Sequence, residues 1–438
     1  MAEQEANGGQ IAIETTKKKG SFRELFRDRN FLLYWSGQGT SLIGDQFMLI
    51  ALPWLVLQIT GDSIALGIVL ALVGIPRAIF MLLGGALTDR LSPRNVMMAS
   101  DIGRLLLTAG LGSMILYGHI EMWMLYSFAL VFGVMSGIFI PASTSIVPLM
   151  VKKEDLQTAN SISQGTSQLS VFIGPALAGA VIALLASRGA GTSIEGTGIA
   201  FAIDAFSFLV SVSTLGLMVF KSQPQGAKGN ILGSIREGIV YVIRDPHLRV
   251  LLIIMAFINF LFAGPFLVGV PVVASTRLAG GAAAFGLLMS SFGGGNLLGI
   301  ILSGILPKPR AGLLGYILAG SIGFFGLCIV IFGLTMSTLS GCVTLAVLGI
   351  CNGYLNILMI TLLQKISPMG MMGRLMSLVM LAVLGLAPIS QGITGFLIKY
   401  SVEGLFVSVG ALFIITALLS LMLPEVRDIG SRVQAAGP

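Results

Sequence analysis

Apolar stretches of membrane-crossing length alternate with short polar stretches along most of the chain. A helix needs about 20 apolar residues to cross a bilayer. Twelve stretches reach this length, at 31–58, 64–88, 96–118, 122–143, 158–187, 197–219, 249–274, 283–306, 312–334, 338–364, 374–398 and 404–423. Because they are continuous and do not alternate with a period of two, they predict transmembrane helices and not the strands of a barrel.

Composition strengthens this interpretation. Charged residues make up 10% of the chain, whereas soluble proteins carry about 25%. Hydrophobic residues make up 55% and the mean hydropathy is +0.94. A water-soluble core could not bury that much apolar surface, so the predicted fold class is an all-α membrane protein with the lipid bilayer around most of its surface.

Lysine and arginine residues set the orientation, since cytoplasmic loops carry an excess of them. With the N-terminus inside, 21 of the 26 lie on the inner side, and only Arg188, Arg277 and Lys399 lie on the outer side. The other two, Arg77 and Arg104, fall within or near predicted helices. The pattern predicts a multi-pass protein of the cell (inner) membrane with both termini in the cytoplasm. The net charge of +7 then reflects orientation and indicates no nucleic-acid partner.

A polar stretch after the sixth apolar run divides the chain into halves. Within it, Ile231, Ile235 and Ile239 recur at helical spacing, which predicts a helix along the membrane surface. The predicted organisation is a cytoplasmic segment 1–30 with its own interfacial helix, a six-helix bundle 31–220, a cytoplasmic linker 221–248, a six-helix bundle 249–424 and a cytoplasmic tail 425–438.

The two halves match each other weakly. Pro53 in the first run corresponds to Pro271 in the seventh, and "GPALAG" at 174–179 corresponds to "APISQG" at 387–392. Because six crossings is an even number, both halves run in the same sense, related by a pseudo-two-fold axis along the membrane normal. Two such bundles enclose a cavity at mid-depth, which favours a secondary transporter working by alternating access.

The polar end of the second run resembles a motif of the major facilitator superfamily. "GALTDRLSPR" matches the loop signature G-x-x-x-D-R-x-G-R-R/K at Gly85, Asp89, Arg90 and Arg94, and departs from it at Ser92. The resemblance implies that Asp89 lies near the start of the eleventh helix and contacts Arg374 there.

Such a contact would hold the two bundles together on the cytoplasmic side, and Gly85 would permit a close helix approach. The alternative is that the charges of this loop serve only its orientation.

Glycine and proline residues in the fifth run, at Gly165, Gly174, Pro175 and Gly179, are expected to bend or thin this helix. The run is similar to the superfamily's antiporter signature G-P-x-x-G-G, and this resemblance implies a role in preventing leak. Stretches such as "FAIDAFSFLVS" at 201–211 are similar to the macrolide-efflux and enterobactin-exporter branch. This resemblance implies export of small molecules. The fourth run lacks the arginine that many proton-coupled exporters carry.

Charged residues inside the apolar runs are candidates for chemistry. An unpaired charge at the depth of Asp45 costs at least about 3 kcal/mol. Arg77 lies at a similar depth, so Asp45 and Arg77 form either a static buried pair or a site where Asp45 binds a proton or a cationic substrate. We expect Asp204 to reach the outer vestibule, for proton or substrate binding or for packing alone. Asp101 and Arg104, three residues apart, are expected to pair locally.

Uncharged polar side chains are the remaining cavity candidates, although each alone commonly serves only helix packing. They are Gln38, Gln46, Gln164, Gln168, Asn259, Asn296, Asn352, Asn356 and Gln391. Together with 25 phenylalanines and 21 methionines, they suit a bulky amphiphilic substrate better than a sugar.

The function predicted is secondary active export of small amphiphilic molecules, with protons as the coupling ion and a monomer as the working unit. An importer, a lipid flippase and a non-transporting sensor are the alternatives. We expect no enzyme activity, metal or cofactor, because His119 and His247 fall on opposite faces and no Walker sequence occurs.

Overall fold

The structure is a computed structural model that describes residues 25–187, 193–219, 231–307, 309–367 and 371–435. These residues are helical almost throughout and contain no β-strand. Among them, eleven helices are long and apolar enough to cross a bilayer. A shorter apolar helix, Ala387–Ile398, follows Met372–Gly385 after a single residue and completes a twelfth crossing. The predicted all-α fold with twelve transmembrane helices is confirmed.

The crossings are numbered in chain order. The first bundle contains α1 (Arg29–Thr60), α2 (Ser63–Arg90), α3 (Pro93–Leu116), α4 (Met122–Met150), α5 (Leu156–Ser187) and α6 (Ser193–Leu217). The second bundle contains α7 (Pro246–Arg277), α8 (Gly281–Ile305), α9 (Leu314–Gly333), α10 (Thr338–Ile366), α11 (Met372–Gly385 with Ala387–Ile398) and α12 (Val402–Met422). A linker helix, Ile231–Arg244, precedes α7, and the short helices Pro424–Arg427 and Ile429–Ala435 follow α12.

Polar residues between the apolar runs fix where the helices begin and end. The side chains of Asp28, Asp62 and Asp245 accept backbone N–H groups at the starts of α1, α2 and α7, which satisfies donors that a helix start leaves free. Gly61 has φ +60°, a left-handed conformation that favours glycine. It ends α1 tightly, so α2 begins only two residues later.

The helix pairs of one bundle repeat in the other. In the first, α2 packs on α4 and α3 on α6; in the second, α8 packs on α10 and α9 on α12. Between bundles, α2 packs on α11 and α5 on α8. The second helix of each half therefore meets the fifth helix of the other half, as a pseudo-two-fold axis along the membrane normal requires.

Both bundles begin and end at the same face. Asn30 at the start of α1 exchanges two hydrogen bonds with the backbone of Val219 after α6. Asp245 at the start of α7 lies 3.2 Å from Arg432, which follows α12. We call this side the termini face and the opposite side the far face.

The residues after α12 pack onto the second bundle. Val426 and Ile429 are fully buried. Gly430 lies against the backbone of Ala311 in the α8–α9 connection, so closely that a Cβ atom would collide with it. The described part of the predicted tail is thus joined to the bundle.

Two helices that meet at the bundle interface are interrupted at prolines. In α7, Pro265 begins a π-helical turn that runs to Gly269, and in α11 the break falls at Leu386, before Pro388. The Ser390 hydroxyl accepts the N–H of Gly264 and donates to a carbonyl one turn earlier in α7. This hydroxyl therefore satisfies backbone groups at the break in α7 and ties that break to α11.

Candidate functional site

The far face is closed by two seams in which helices of opposite bundles lie backbone to backbone. In the α5–α8 seam, a Cβ atom added to Gly286 would lie 3.0 Å from the Cα atom of Gly179. In the α2–α11 seam, one added to Gly395 would lie 3.0 Å from the Cα atom of Gly67. Small residues thus permit the close contact that seals this side.

Two cavities lie between the bundles on the other side of these seams. An entrance cavity of about 1000 Å³ begins near the termini face, where Tyr34 and Gln157 line it, and reaches Ile300 of the second bundle. A central cavity of about 420 Å³ lies deeper. The two cavities share the lining residues Gln38, Leu42 and Ser143. The structure therefore offers a path from the termini face to the middle of the protein and is sealed at the far face.

Charged side chains lie on the first-bundle wall of the central cavity. Its apolar walls include Met48, Phe132, Phe139, Phe285 and Met289, and its charged lining residues are Asp45, Arg77 and Arg104. Both bundles contribute to it. The cavity therefore has both an apolar wall and charged groups, a combination that suits an amphiphilic molecule.

Arg104 is the centre of the charged cluster. It forms the expected ion pair with Asp101, which is fully buried and also accepts a 2.6 Å hydrogen bond from Ser211. The guanidinium carbon lies 4.0 Å from the ring centroid of Phe139 and 4.5 Å from that of Phe208. These contacts on several sides hold the cation in place.

Asp45 pairs with Arg104 and not with Arg77, so the pairing expected from the sequence is wrong. Asp45 Oδ1 lies 3.9 Å from Arg104 Nη1, and its side chain is 36% exposed to the cavity. Arg77 lines the same cavity but forms no ion pair or hydrogen bond with any described residue. Asp45 and Arg77 thus share a cavity wall without reaching ion-pair distance, because α1 packs mainly on α6 and touches α2 little.

Asp204 is buried and does not reach an outer vestibule, contrary to the expectation. It is 0% exposed and lies where α6 packs on Gly44 of α1. No described protein group donates a hydrogen bond to either carboxylate oxygen. Of its aromatic neighbours in sequence, Phe201 and Phe208 are buried with it, whereas Phe206 is 63% exposed.

The predicted uncharged polar residues lie in several places. Gln38 lines both cavities, Gln164 and Gln168 line the entrance cavity, and Gln391 lines the central cavity. Three of the four candidate asparagines line a separate pocket of about 50 Å³ beside Phe262 and Phe325; they are Asn259, Asn352 and Asn356. The fourth, Asn296, lies where α8 packs on Gly349 and Gly353 of α10.

Sequence reasoning missed the approach of Arg104 to Asp45, and it missed Ser136 on the cavity wall. The spacing of Asp101 and Arg104 signalled a local pair. It carried no information on which helix would supply a third charged partner.

The motif at the end of α2 is only partly described. Arg90 is exposed. The Arg94 side chain donates from Nε to the carbonyl of Leu215 at 2.6 Å, which ties the start of α3 to the end of α6. The side chains of Asp89 and Arg374 lie outside the described residues, so their contact stays a prediction.

The close contact between helices that was expected at Gly85 is made instead by the preceding residue, Gly84. A Cβ atom on Gly85 would meet no described atom within 4 Å, whereas one on Gly84 would lie 2.8 Å from the Cα atom of Ile138 in α4. The register of α2 is thus one residue away from the expected one.

The glycines of the α5 motif lie at three different levels. Gly165 lines the entrance cavity. A Cβ atom on Gly174 would collide with Gln46 of α1. Pro175 and Gly179 face α8, where they form the α5–α8 seam with Gly286. The motif therefore lies along the contacts of α5 with both bundles.

Two six-helix bundles with a charged cavity at their interface define the chain as a multi-pass membrane transporter of the major facilitator class. A family model described as transmembrane secretion effector matches residues 21–435. The chain belongs to this family.

Known relatives are similar over most of their length. Macrolide efflux protein A of Streptococcus pyogenes is 25% identical over 413 residues, which cover 91% of this chain and 97% of that protein. Enterobactin exporter EntS of Citrobacter koseri is 26% identical over 371 residues, which cover 83% of this chain and 82% of that protein.

Solved structures share the fold at low identity. An auto-inhibited POT family peptide transporter matches with a TM-score of 0.68 at 12% identity, covering 90% of this chain and 96% of that one. A mutant of the nucleoside transporter NupG matches with a TM-score of 0.67 at 14% identity, covering 93% of this chain and 99% of that one.

Proposed function

We propose that the chain exports small amphiphilic molecules from the cytoplasm by alternating access, in exchange for protons. The observation that carries this proposal is the central cavity at the bundle interface, which is reached from the termini face and closed at the far face by the two seams. Rocking the bundles about this cavity would open the seams and close the entrance. The relatives named as exporters support the outward direction.

The termini face is the cytoplasmic face in this proposal. The excess of lysine and arginine on that side supports it, because positively charged loops stay inside. In this proposal the protein lies in the cell (inner) membrane as a monomer, and its binding cavity opens toward the cytoplasm. An exporter collects its substrate in this conformation.

Survival and accumulation in an efflux-deficient bacterial host test the function. Erythromycin, ethidium and a catecholate siderophore serve as probes, each measured with and without an uncoupler. We expect the chain to lower accumulation of at least one probe, and the uncoupler to restore it. Unchanged accumulation of every probe would exclude export of this class.

Replacing Asp45 by Asn is expected to remove the pH dependence of transport. The carboxylate is the charged group of the cluster most open to the cavity, so a proton or a cation can reach it. Flux of erythromycin in proteoliposomes, measured across a pH series, checks this. If flux in the variant is normal and still depends on pH, Asp45 is only a static partner of Arg104 and does not bind the proton or the substrate.

Replacing Asp89 by Asn is expected to abolish most transport while the protein still reaches the membrane. The physical reason is the proposed contact with Arg374, which would stabilise the conformation closed on the cytoplasmic side. Efflux of ethidium and the amount of protein in the membrane fraction are measured together. Near-normal efflux would contradict the contact.

A further inference from the structure

Three carboxylates gather around one ion-paired arginine in the first bundle. Asp101 and Arg104 come from α3, Asp45 from α1 and Asp204 from α6. With all three carboxylates ionised, Arg104 alone leaves an excess of two negative charges, and Arg77, which lines the same cavity, reduces the excess to one. Burying an uncompensated charge is costly, so the cluster favours binding of at least one proton.

The contacts decide which carboxylate carries that proton. Asp101 has Arg104 and the Ser211 hydroxyl as donors. Asp45 has Arg104 nearby and is partly exposed to the cavity. Asp204 is fully buried and receives no hydrogen bond at either carboxylate oxygen from the described protein. Of the three aspartates, Asp204 is therefore the one whose ionised form its surroundings stabilise least.

The neighbour of Asp204 suits the protonated acid. Ser207 lies beside the Asp204 side chain. Its hydroxyl hydrogen is already donated, at 2.7 Å, to the backbone carbonyl of Asp204. In this arrangement the lone pairs of the Ser207 oxygen are free to accept a hydrogen bond. A protonated Asp204 could donate to this oxygen while Ser207 keeps its bond to the backbone, whereas a carboxylate could receive the Ser207 hydrogen only if the hydroxyl turned away from that carbonyl.

We propose that Asp204 is the proton-binding site of the transport cycle and is protonated in this conformation, while Asp45 faces the substrate. This inference rests on the proposed function and deepens it by separating the two roles. The groups that face Asp204 are Asp45 from α1 and Asp101 and Arg104 from α3. Proton binding converts the carboxylate to the acid and needs no other reactant.

The packing of α1 on α6 determines how a proton would reach Asp204. Gly37 and Gly44 of α1 lie against α6 so closely that a Cβ atom on either would collide with its side chains, and Ser41 between them is fully buried. A Cβ atom added to Gly44 would lie 2.7 Å from Asp204 Oδ1, so Asp204 lies close to the α1 backbone next to Asp45. A small displacement of α1 along α6 would expose Asp204 to the cavity, where the proton can leave.

Infrared spectroscopy of the purified protein at neutral pH tests the protonation directly. We expect a C=O stretching band of a protonated carboxylic acid that moves in D₂O, is lost in Asp204→Asn and remains in Glu154→Gln, which removes an exposed carboxylate. Ser207→Ala, a conservative change, should move the same band to higher frequency by removing the acceptor. A band that Asp204→Asn leaves in place, or no band in the wild type, would overturn the inference.

Transport in proteoliposomes tests the coupling. In Asp204→Asn, which imitates the protonated acid, we expect loss of accumulation of erythromycin driven by a pH gradient, while exchange of labelled for unlabelled erythromycin continues. Gradient-driven accumulation equal to wild type would overturn the inference. If the wild type moves no probe, the proposed function fails, and the infrared measurement still decides whether Asp204 holds a proton.

Discussion

Replacing Arg104 by Gln is expected to abolish transport and to lower the thermal stability of the purified protein more than any other single charge change. Asp101 is fully buried and has Arg104 as its ion-pair partner. Removing one member of a buried pair costs about 3–5 kcal/mol, because the other charge stays uncompensated. The change also removes the cation next to Asp45. Thermal unfolding in detergent and flux in proteoliposomes measure the two effects.

A second substitution separates the two effects. In the double variant Arg104→Gln with Asp101→Asn, we expect most of the stability to return, because no buried charge is left unpaired. Transport should stay absent, because Asp45 still lacks its cation. Arg427→Gln, at an exposed arginine outside the cluster, is the control and should behave as wild type. Equal stability of wild type and Arg104→Gln would contradict the role assigned to the pair.

Replacing Gly286 by Leu is expected to stop transport by holding the far face open. A Cβ atom at this position would lie 3.0 Å from the Cα atom of Gly179 and closer still to the carbonyl of Pro175. The seam has no room for a side chain, so the bundles must stay apart there. The packing within each bundle is not affected, so we expect the variant to fold and reach the membrane.

Cysteine labelling measures the opening. Ser63 lies in the other seam, where it is buried and its hydroxyl donates to the carbonyl of Gly395. With the native cysteines replaced by alanine, Ser63→Cys should react with a membrane-impermeant maleimide in Gly286→Leu and be protected in the parent. Protection in both, or normal flux in Gly286→Leu, would contradict the seam as a gate.

Gly349 offers a matched control inside one bundle. A Cβ atom there would lie 2.8 Å from the backbone nitrogen of Asn296, where α8 and α10 of the same bundle meet. Because no transport step separates these helices, Gly349→Leu should lower the amount of folded protein instead of trapping a conformation. The comparison distinguishes a mobile contact from a permanent one.

The helices and their grouping follow from the sequence because lipid imposes a simple rule. Each crossing needs about 20 apolar residues, and the runs around Pro53 and Pro271 satisfy it without reference to any other part of the chain. Because each half has an even number of crossings, both halves were expected to enter the membrane from the same side. The matched contacts α2–α11 and α5–α8 agree with this arrangement.

The partners inside the site could not be derived in the same way. Depth along a helix can be counted from its ends, and this placed Asp45 and Arg77 at one level. Rotation about the helix axis and the choice of neighbouring helix decide which charges meet, and they depend on packing across the whole bundle. The contacts of α1 with α6, through Gly37 and Gly44, brought Asp45 to Arg104 instead.

The same limit explains Asp204 and Gly85. The distance of Asp204 from the end of α6 suggested access from outside, but its side chain is fully buried where α6 packs on α1. At the end of α2, a shift of one residue moves the close contact from Gly85 to Gly84. An error of one position turns a helical side chain by about 100°, since a turn holds 3.6 residues.

The anchored residues after α12 give a fixed attachment point for distance measurements. Val426 and Ile429 are buried and Arg432 is joined to Asp245, so a fluorophore on a cysteine in place of the exposed Ser431 would move with the second bundle as one body. Paired with a dye on the first bundle, it would report the relative tilt of the two halves in single molecules, turnover by turnover.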